Sequence, residues 1–304
     1  MTNPTLGWDL ARDVGEVLEY RFMVNALLAG SIVAVMAGLL GWFMVLRRET
    51  FAGHTLSLMA FPGAAAAALI GIAAAWGYFG FCVAGALAIG GLPRLGRRSG
   101  GDQSATIGAV QALSLALGFL FVSLYSGILP DLESLLFGTF VGISEHQVVV
   151  LLAVAAGTLA ALTALARPLL FASVDPDVAG ARGLPVHALS TGFLVLLGLA
   201  VAATSQITGV LLVFALLVMP AASAQLLTAR PLFGLALTVA LGLLIVWLGL
   251  GIAYFSVYPA GFFITTIAFS MYVLARVAAR LQAARTRAPG DAHAPGGSAE
   301  GVIA

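Results

Sequence analysis

A single histidine within an apolar stretch is the residue of this sequence best suited to chemistry. Residues 47–63 read RRETFAGHTLSLMAFPG, and His54 is the only ionisable side chain after Glu49 in that stretch. An imidazole nitrogen can bind Zn²⁺ or another divalent transition metal ion. Because an ionisable group at membrane depth is costly, it usually serves a function there. His54 is therefore the first candidate functional residue.

The composition places this histidine in a membrane protein. Hydrophobic residues make up 61% of the 304 and charged residues 9%, whereas soluble domains carry about 25% charged residues. A spanning helix needs about 20 apolar residues. The sequence predicts an all-α, polytopic transmembrane bundle of nine spans, or of eight if one of the adjoining pair 186–204 and 207–228 does not cross. The candidate spans are 22–46, 52–74, 76–93, 104–125, 146–166, 186–204, 207–228, 231–255 and 258–280.

The arginines predict how these spans are oriented. Basic residues concentrate in the cytoplasmic connections of membrane proteins, and here they fall into alternate connections. We therefore predict a multi-pass protein of the cell (inner, cytoplasmic) membrane, with the N-terminus outside and the C-terminus in the cytoplasm. Twelve arginines then lie inside, namely Arg47, Arg48, Arg94, Arg97, Arg98, Arg167, Arg182, Arg230, Arg276, Arg280, Arg285 and Arg287, and two lie outside, Arg12 and Arg21.

Three regions are predicted along the chain. Residues 1–21 place apolar and acidic side chains at helical spacing, which predicts an extracytoplasmic amphipathic segment on the membrane surface. Residues 22–282 form the transmembrane domain. Residues 283–304 are rich in Gly, Pro and Ala and lack apolar periodicity, which predicts a disordered cytoplasmic tail.

The predicted spans contain few other side chains that could bind a metal ion together with His54. It lies about 9 Å beyond Arg48 along a helix, inside a half-bilayer of about 15 Å. No Asp or Glu occurs in any predicted span, and the other histidines there, His146 and His187, stand at the very ends of theirs, so further ligands along the pathway would be weak ones. Pro62 also interrupts the helix and frees a backbone carbonyl near residue 58. The candidate pathway residues are His54, Ser57, Met59, Pro62 and Gln111.

The inner connection RPLLFASVDPDVAGARGLP, residues 167–185, predicts a short helix. Asp175 suits the N-cap, Pro176 the first helical position and Asp177 the first turn, while Gly183 and Pro185 end the helix. Val178, Ala179 and Leu184 would make its apolar contacts. Because a helix of about two turns is unstable alone in water, we expect a protein docked on the cytoplasmic face to hold it.

These segments resemble the permeases of zinc and manganese ABC importers, the ABC-3 family. The resemblance covers nearly the whole membrane region and rests on four blocks in the family's order, plus the pattern at 175–185. The blocks are GLLGWFMVLRRETFAGHTLSLMAFPG from Gly38, GDQSATIGAV from Gly101, LESLLFG from Leu132 and TGVLLVFALLVMPAASAQLLTARP from Thr208. By this resemblance the residues that couple to an ATPase are Asp175, Pro176, Asp177, Ala179, Gly183, Leu184 and Pro185.

The resemblance implies a permease subunit with partners. It implies a homodimer in the lipid bilayer, two cytoplasmic ATPase subunits and an extracytoplasmic solute-binding protein that delivers a divalent metal ion. The chain carries no Gly-x-x-x-x-Gly-Lys-[Ser/Thr] phosphate loop, so ATP hydrolysis belongs to a partner and the chain itself is not expected to be an enzyme. No covalently bound cofactor and no nucleic-acid partner are expected.

The second-helix block departs from the family pattern at its ligand pair. Most members carry Gly-Asp-x-x-Ser-His-x-x-x-Pro-Gly, whereas His54 stands here at the Asp position and Leu58 at the His position. Three interpretations follow: His54 is a replacement ligand for zinc, the expected ion, or manganese; the substrate is a metal chelate or small organic solute; or His54 only bonds a neighbouring helix. An ATPase-independent secondary transporter is a further alternative, although the spans lack the carboxylates it would need.

Overall fold

In the computed structural model, the described residues are 15–16, 19–91, 100–125 and 142–287, and within these ranges the regular secondary structure is helical throughout. Ten helices follow one another in these described ranges. They are α1 (Arg21–Leu46), α2 (Thr50–Ile70), α3 (Ala74–Gly91), α4 (Gly100–Leu124), α5 (Glu145–Val174), α6 (Pro176–Ala181), α7 (Val186–Thr208), α8 (Val210–Leu227), α9 (Pro231–Tyr254) and α10 (Ala260–Arg287).

Eight helices of the described chain are long and apolar enough to cross a membrane, which is the lower of the two predicted counts. The predicted span 207–228 is the exception. It corresponds to α8, a shorter apolar helix. The all-α transmembrane bundle is confirmed, and the described residues contain eight helices of full spanning length.

Contacts at one end of the bundle show what α8 does. Arg47, at the end of α1, donates a hydrogen bond to Ser190 near the start of α7. A Cβ at Gly234, near the start of α9, would lie 2.9 Å from the indole Nε1 of Trp42 in the last turns of α1. We call this the Arg47 end. Because α7 and α9 both begin there, α8 returns the chain to the Arg47 end after α7 has left it.

On its way back to the Arg47 end, α8 crosses α1 at very close range. A Cβ at Gly41 would overlap the carbonyl oxygen of Leu217 and lie 2.8 Å from its carbonyl carbon. The amide of Gln225 donates to the carbonyl oxygen of Trp42 at 2.8 Å. Small residues let membrane helices approach until their backbones touch. Gly41 thus fixes where the short helix sits.

Helix α2, which carries His54, is packed on several sides by α3, α4, α7 and α8. Its closest neighbour is α3, because a Cβ on either Gly63 or Gly77 would overlap the carbonyl oxygen of the other. Pro62 lies inside α2. These contacts hold the helix that positions the candidate pathway residues.

The two ends of the chain are only partly described. Most of the predicted interfacial segment 1–21, and residues 288–304 of the predicted tail, lie outside the described ranges. Residues 283–287 are helical, because α10 continues to Arg287. Helix α10 thus overlaps the first five residues of the predicted tail, and the bounds and disorder of that tail stay predictions.

Replacing Gly41 by alanine tests the α1–α8 crossing. We expect Gly41→Ala to destabilise the protein by about 1–3 kcal/mol, the usual cost of overpacking. Thermal unfolding of the detergent-solubilised protein measures the change. Gly157→Ala in α5 is the matched control, because nothing lies within 4 Å of its Cβ position and alanine favours a helix. Equal unfolding temperatures for the two variants would contradict the crossing.

Candidate substrate pathway and coupling helix

His54 lies partly buried in α2 with one nitrogen uncommitted. Its ring packs against Phe214 of α8, with ring centroids 4.6 Å apart and planes inclined by 57°. Its Nδ1 atom is buried and has no hydrogen-bond partner. A buried polar atom without a partner is unusual and calls for an explanation. A passing ligand is one explanation that the geometry allows.

The structure does not gather the other predicted pathway residues around His54. Ser57 is buried and donates to the carbonyl of Gly53 in its own helix at 3.0 Å. Met59 points toward α3, where its sulfur contacts the Cβ position of Gly85. Five residues along a helix turn a side chain by about 140°, so Met59 and His54 face different neighbours.

Gln111 and Pro62 lie where α2 and α4 meet, with Gln111 in α4 and Pro62 in α2. The Gln111 Oε1 atom accepts a hydrogen bond from Thr55 Oγ1 at 3.1 Å. Pro62 packs against Gly118, where a Cβ would lie 3.2 Å from the proline Cβ. The predicted set is therefore spread over α2 and α4, and its members contact different neighbours.

Within the described ranges, no three His, Cys, Asp or Glu side chains converge on a point that could hold a metal ion. Leu58, one turn beyond His54, is a partly buried apolar residue packed against the core. A closed metal site needs about four ligands. The described residues of one chain therefore do not form a closed metal centre from His, Cys, Asp or Glu side chains.

Helix α6 has the termini that the sequence predicts. At its start, the Asp175 carboxylate accepts a hydrogen bond from the backbone N–H of Val178 at 3.0 Å, with Pro176 in the first turn. At its end, Leu184 N–H donates to the carbonyl of Ala179 at 3.1 Å. Gly183 has a φ of +82°, the left-handed conformation that closes a Schellman motif. Asp175 and Gly183 thus define the helix.

Helix α6 packs against its own chain, and the docking of another protein on it stays a prediction. Ala179 is 0% exposed, and α6 contacts both α5 and α7. The Arg182 guanidinium stacks over the Phe171 ring at 5.5 Å. The chain therefore supports this helix itself, because its short flanking connections return it against the ends of α5 and α7. Val178 remains exposed for a partner.

A buried ion pair that the sequence pattern does not predict lies beside α6. Arg47 Nη2 lies 2.9 Å from Glu49 Oε1, and the two side chains are 7% and 8% exposed. The guanidinium also donates to Ser173 at 3.1 Å and to Ser190. In the sequence, Arg47 indicates topology and belongs to a family block, and the carboxylate of Glu49 two residues away is the available clue to the ion pair.

The left-handed end of α6 can be tested by comparing alanine substitutions at Gly183 and Gly180. Gly183→Ala should speed amide hydrogen exchange in residues 175–185 by about fivefold, because a left-handed conformation costs a non-glycine residue of order 1 kcal/mol. Gly180→Ala is the control, since its Cβ position is open and helical. Equal acceleration in both variants would contradict the assigned helix end.

Comparisons with known proteins agree with the geometry. The sequence profile of the ABC 3 transport family matches residues 19–279. The manganese transport system membrane protein MntC of Halalkalibacterium halodurans is 31% identical, over 90% of this chain and 91% of that protein. The manganese import system permease protein ScaB of Streptococcus parasanguinis is 30% identical, over 78% and 83% of the two chains.

A solved structure has the same fold. PsaBC from Streptococcus pneumoniae, determined in complex with Fab, matches with a TM-score of 0.76 and 27% identity. The match covers 88% of this chain and 95% of that one. With the helical bundle and the capped helix α6 already described, the chain belongs to the ABC 3 transport family and is a multi-pass permease subunit of a metal-type ABC importer, with ATP hydrolysis in a separate subunit.

Proposed function

We propose that this permease imports manganese, driven by cytoplasmic ATPase subunits and supplied by an extracytoplasmic solute-binding protein. The names of MntC and ScaB support manganese over zinc, the ion first expected. Membership of an ABC family leaves no support for the ATPase-independent alternative. The transported metal is a substrate rather than a resident cofactor.

The buried, unpartnered Nδ1 of His54 is the observation that carries the proposal. Mn²⁺ accepts carboxylate, carbonyl and water oxygens and also imidazole nitrogen. Pro62 cannot donate to the carbonyl of Leu58, so a backbone oxygen is released one turn from the histidine. A few weak ligands suit transport, because an ion must be able to leave the site again. Two copies in a homodimer would supply two such histidines to one pathway.

The charge distribution supports placing the Arg47 end in the cytoplasm. Basic residues mark cytoplasmic connections, and Arg47, Arg48, Arg182 and Arg230 flank helix ends there. The N-terminus is then extracytoplasmic and the C-terminus cytoplasmic. Helix α6 lies at the same end, where Asp175 to Pro185 would meet the ATPase. ATP binding would move α6 and switch the pathway between outward-open and inward-open states.

Two substitutions of His54 separate its chemistry from its packing. His54→Ala removes the nitrogen and the ring, whereas His54→Phe keeps a ring against Phe214 and removes only the nitrogen. We expect both to reduce manganese uptake by about tenfold or more, since loss of even an outer partner of a metal ligand costs 10–100-fold in affinity. Uptake of radioactive manganese in cells depleted of other importers, corrected for permease abundance, is the measurement.

Leu58→Ala serves as the control, because Leu58 lies one turn from His54 and offers no lone pair. It should keep most of the uptake. Full uptake in His54→Phe would show that the ring acts through packing and would contradict a ligand role. Uptake of a manganese chelate, but not of the free ion, by the unaltered permease would favour the chelate interpretation.

A further inference from the structure

Four segments of the chain meet at the guanidinium of Arg47. Arg47 follows α1, and its Nη2 atom bonds Glu49, the residue that precedes α2. Its Nη1 atom donates to Ser173 in the last turn of α5 at 3.1 Å. Ser190 near the start of α7 accepts a second bond from Nη2, and the guanidinium stacks over the Phe193 ring at 5.5 Å. We call these residues the Arg47 junction.

The junction lies directly between α6 and the helix that carries His54. Ser173 is two residues before the N-cap Asp175, and Ser190 is five residues after Pro185. The guanidinium thus bonds to the segment that leads into α6 and to the segment that leads out of it. The guanidinium also bonds Glu49, which directly precedes α2 and lies five residues before His54. The side chain of Arg47 therefore links the segments on both sides of α6 to the start of α2.

The junction is also incompletely satisfied in this conformation. Arg47 Nε and Glu49 Oε2 are buried without hydrogen-bond partners, and leaving polar atoms of a buried ion pair unbonded is costly. Beside them is a cavity of about 440 Å³, lined among others by Ser104, Ser173 and Pro176. There is therefore room for a second arrangement of these groups. A polar cluster with two arrangements is the kind of element that transmits a conformational change.

The geometry points to Arg47 as a positioning residue that transmits the movement of the ATPase-coupled helix α6 to α2. The inference rests on the proposed function, because it concerns the coupling of ATP hydrolysis to transport. It assigns no contact with the transported ion. Arg47 acts through Glu49, Ser173 and Ser190, whose positions it fixes relative to each other.

The test uses the complete transporter, with its ATPase and binding protein, in proteoliposomes. Ser173→Ala and Ser190→Ala each remove one hydrogen bond to a charged donor. We expect manganese transported per ATP hydrolysed to fall by about fivefold in each, while ATPase co-purification and basal ATP hydrolysis stay unchanged. Arg47→Lys, which cannot form the same set of bonds, should fall at least as far. Ser173→Thr keeps the hydroxyl and should restore coupling.

Ser31→Ala is the matched control. Ser31 also joins two helices, because it accepts a 2.9 Å bond from Trp247, but it lies in α1 away from the Arg47 end. Its transport per ATP should match that of the unaltered permease. Unchanged coupling in both serine variants would overturn the role of the junction. Absence of ATP-driven manganese transport in the unaltered complex would instead overturn the proposed function.

Discussion

The structure at one end of this permease depends on burying a guanidinium. Taking the charge of Arg47 out of water is costly unless several groups bond it, and the chain meets that cost with Glu49, two serines and the Phe193 ring. Those partners come from the loop between α1 and α2 and from the ends of α5 and α7. Satisfying one side chain therefore brings together the segments from which α6 extends and the segment at which α2 begins.

Local features of the fold could be predicted from the sequence. The apolar runs predicted the long helices, since spans of about 20 residues have few other uses. Asp175, Pro176 and Gly183 predicted both ends of α6, because caps depend on residues only a few positions apart. The family pattern in residues 175–185 carried the coupling assignment, which remains a prediction for these residues.

What the sequence could not predict depends on distant partners. Ser173 and Ser190 lie 126 and 143 residues from Arg47, so the sequence around Arg47 and Glu49 does not indicate which distant residues bury the pair. The same holds for α8, whose place is set by Gly41 and Leu217. The sequence places Met59 and Gln111 in the membrane with His54. In the structure, the helical turn directs Met59 toward Gly85, and Gln111 accepts a hydrogen bond from the hydroxyl of Thr55.

In the proposed function, His54 binds the ion weakly, and the Arg47 junction links the movement of α6 to α2. His54 alone in the described part of one chain would hold an ion only briefly, so direction would come from the movement of α2 rather than from affinity. The most direct measurement is radioactive manganese uptake into proteoliposomes that contain the permease, its ATPase and its binding protein, with ATP or a non-hydrolysable analogue. The account predicts accumulation only with ATP and only weak competition by zinc. Equal uptake without ATP hydrolysis would contradict it.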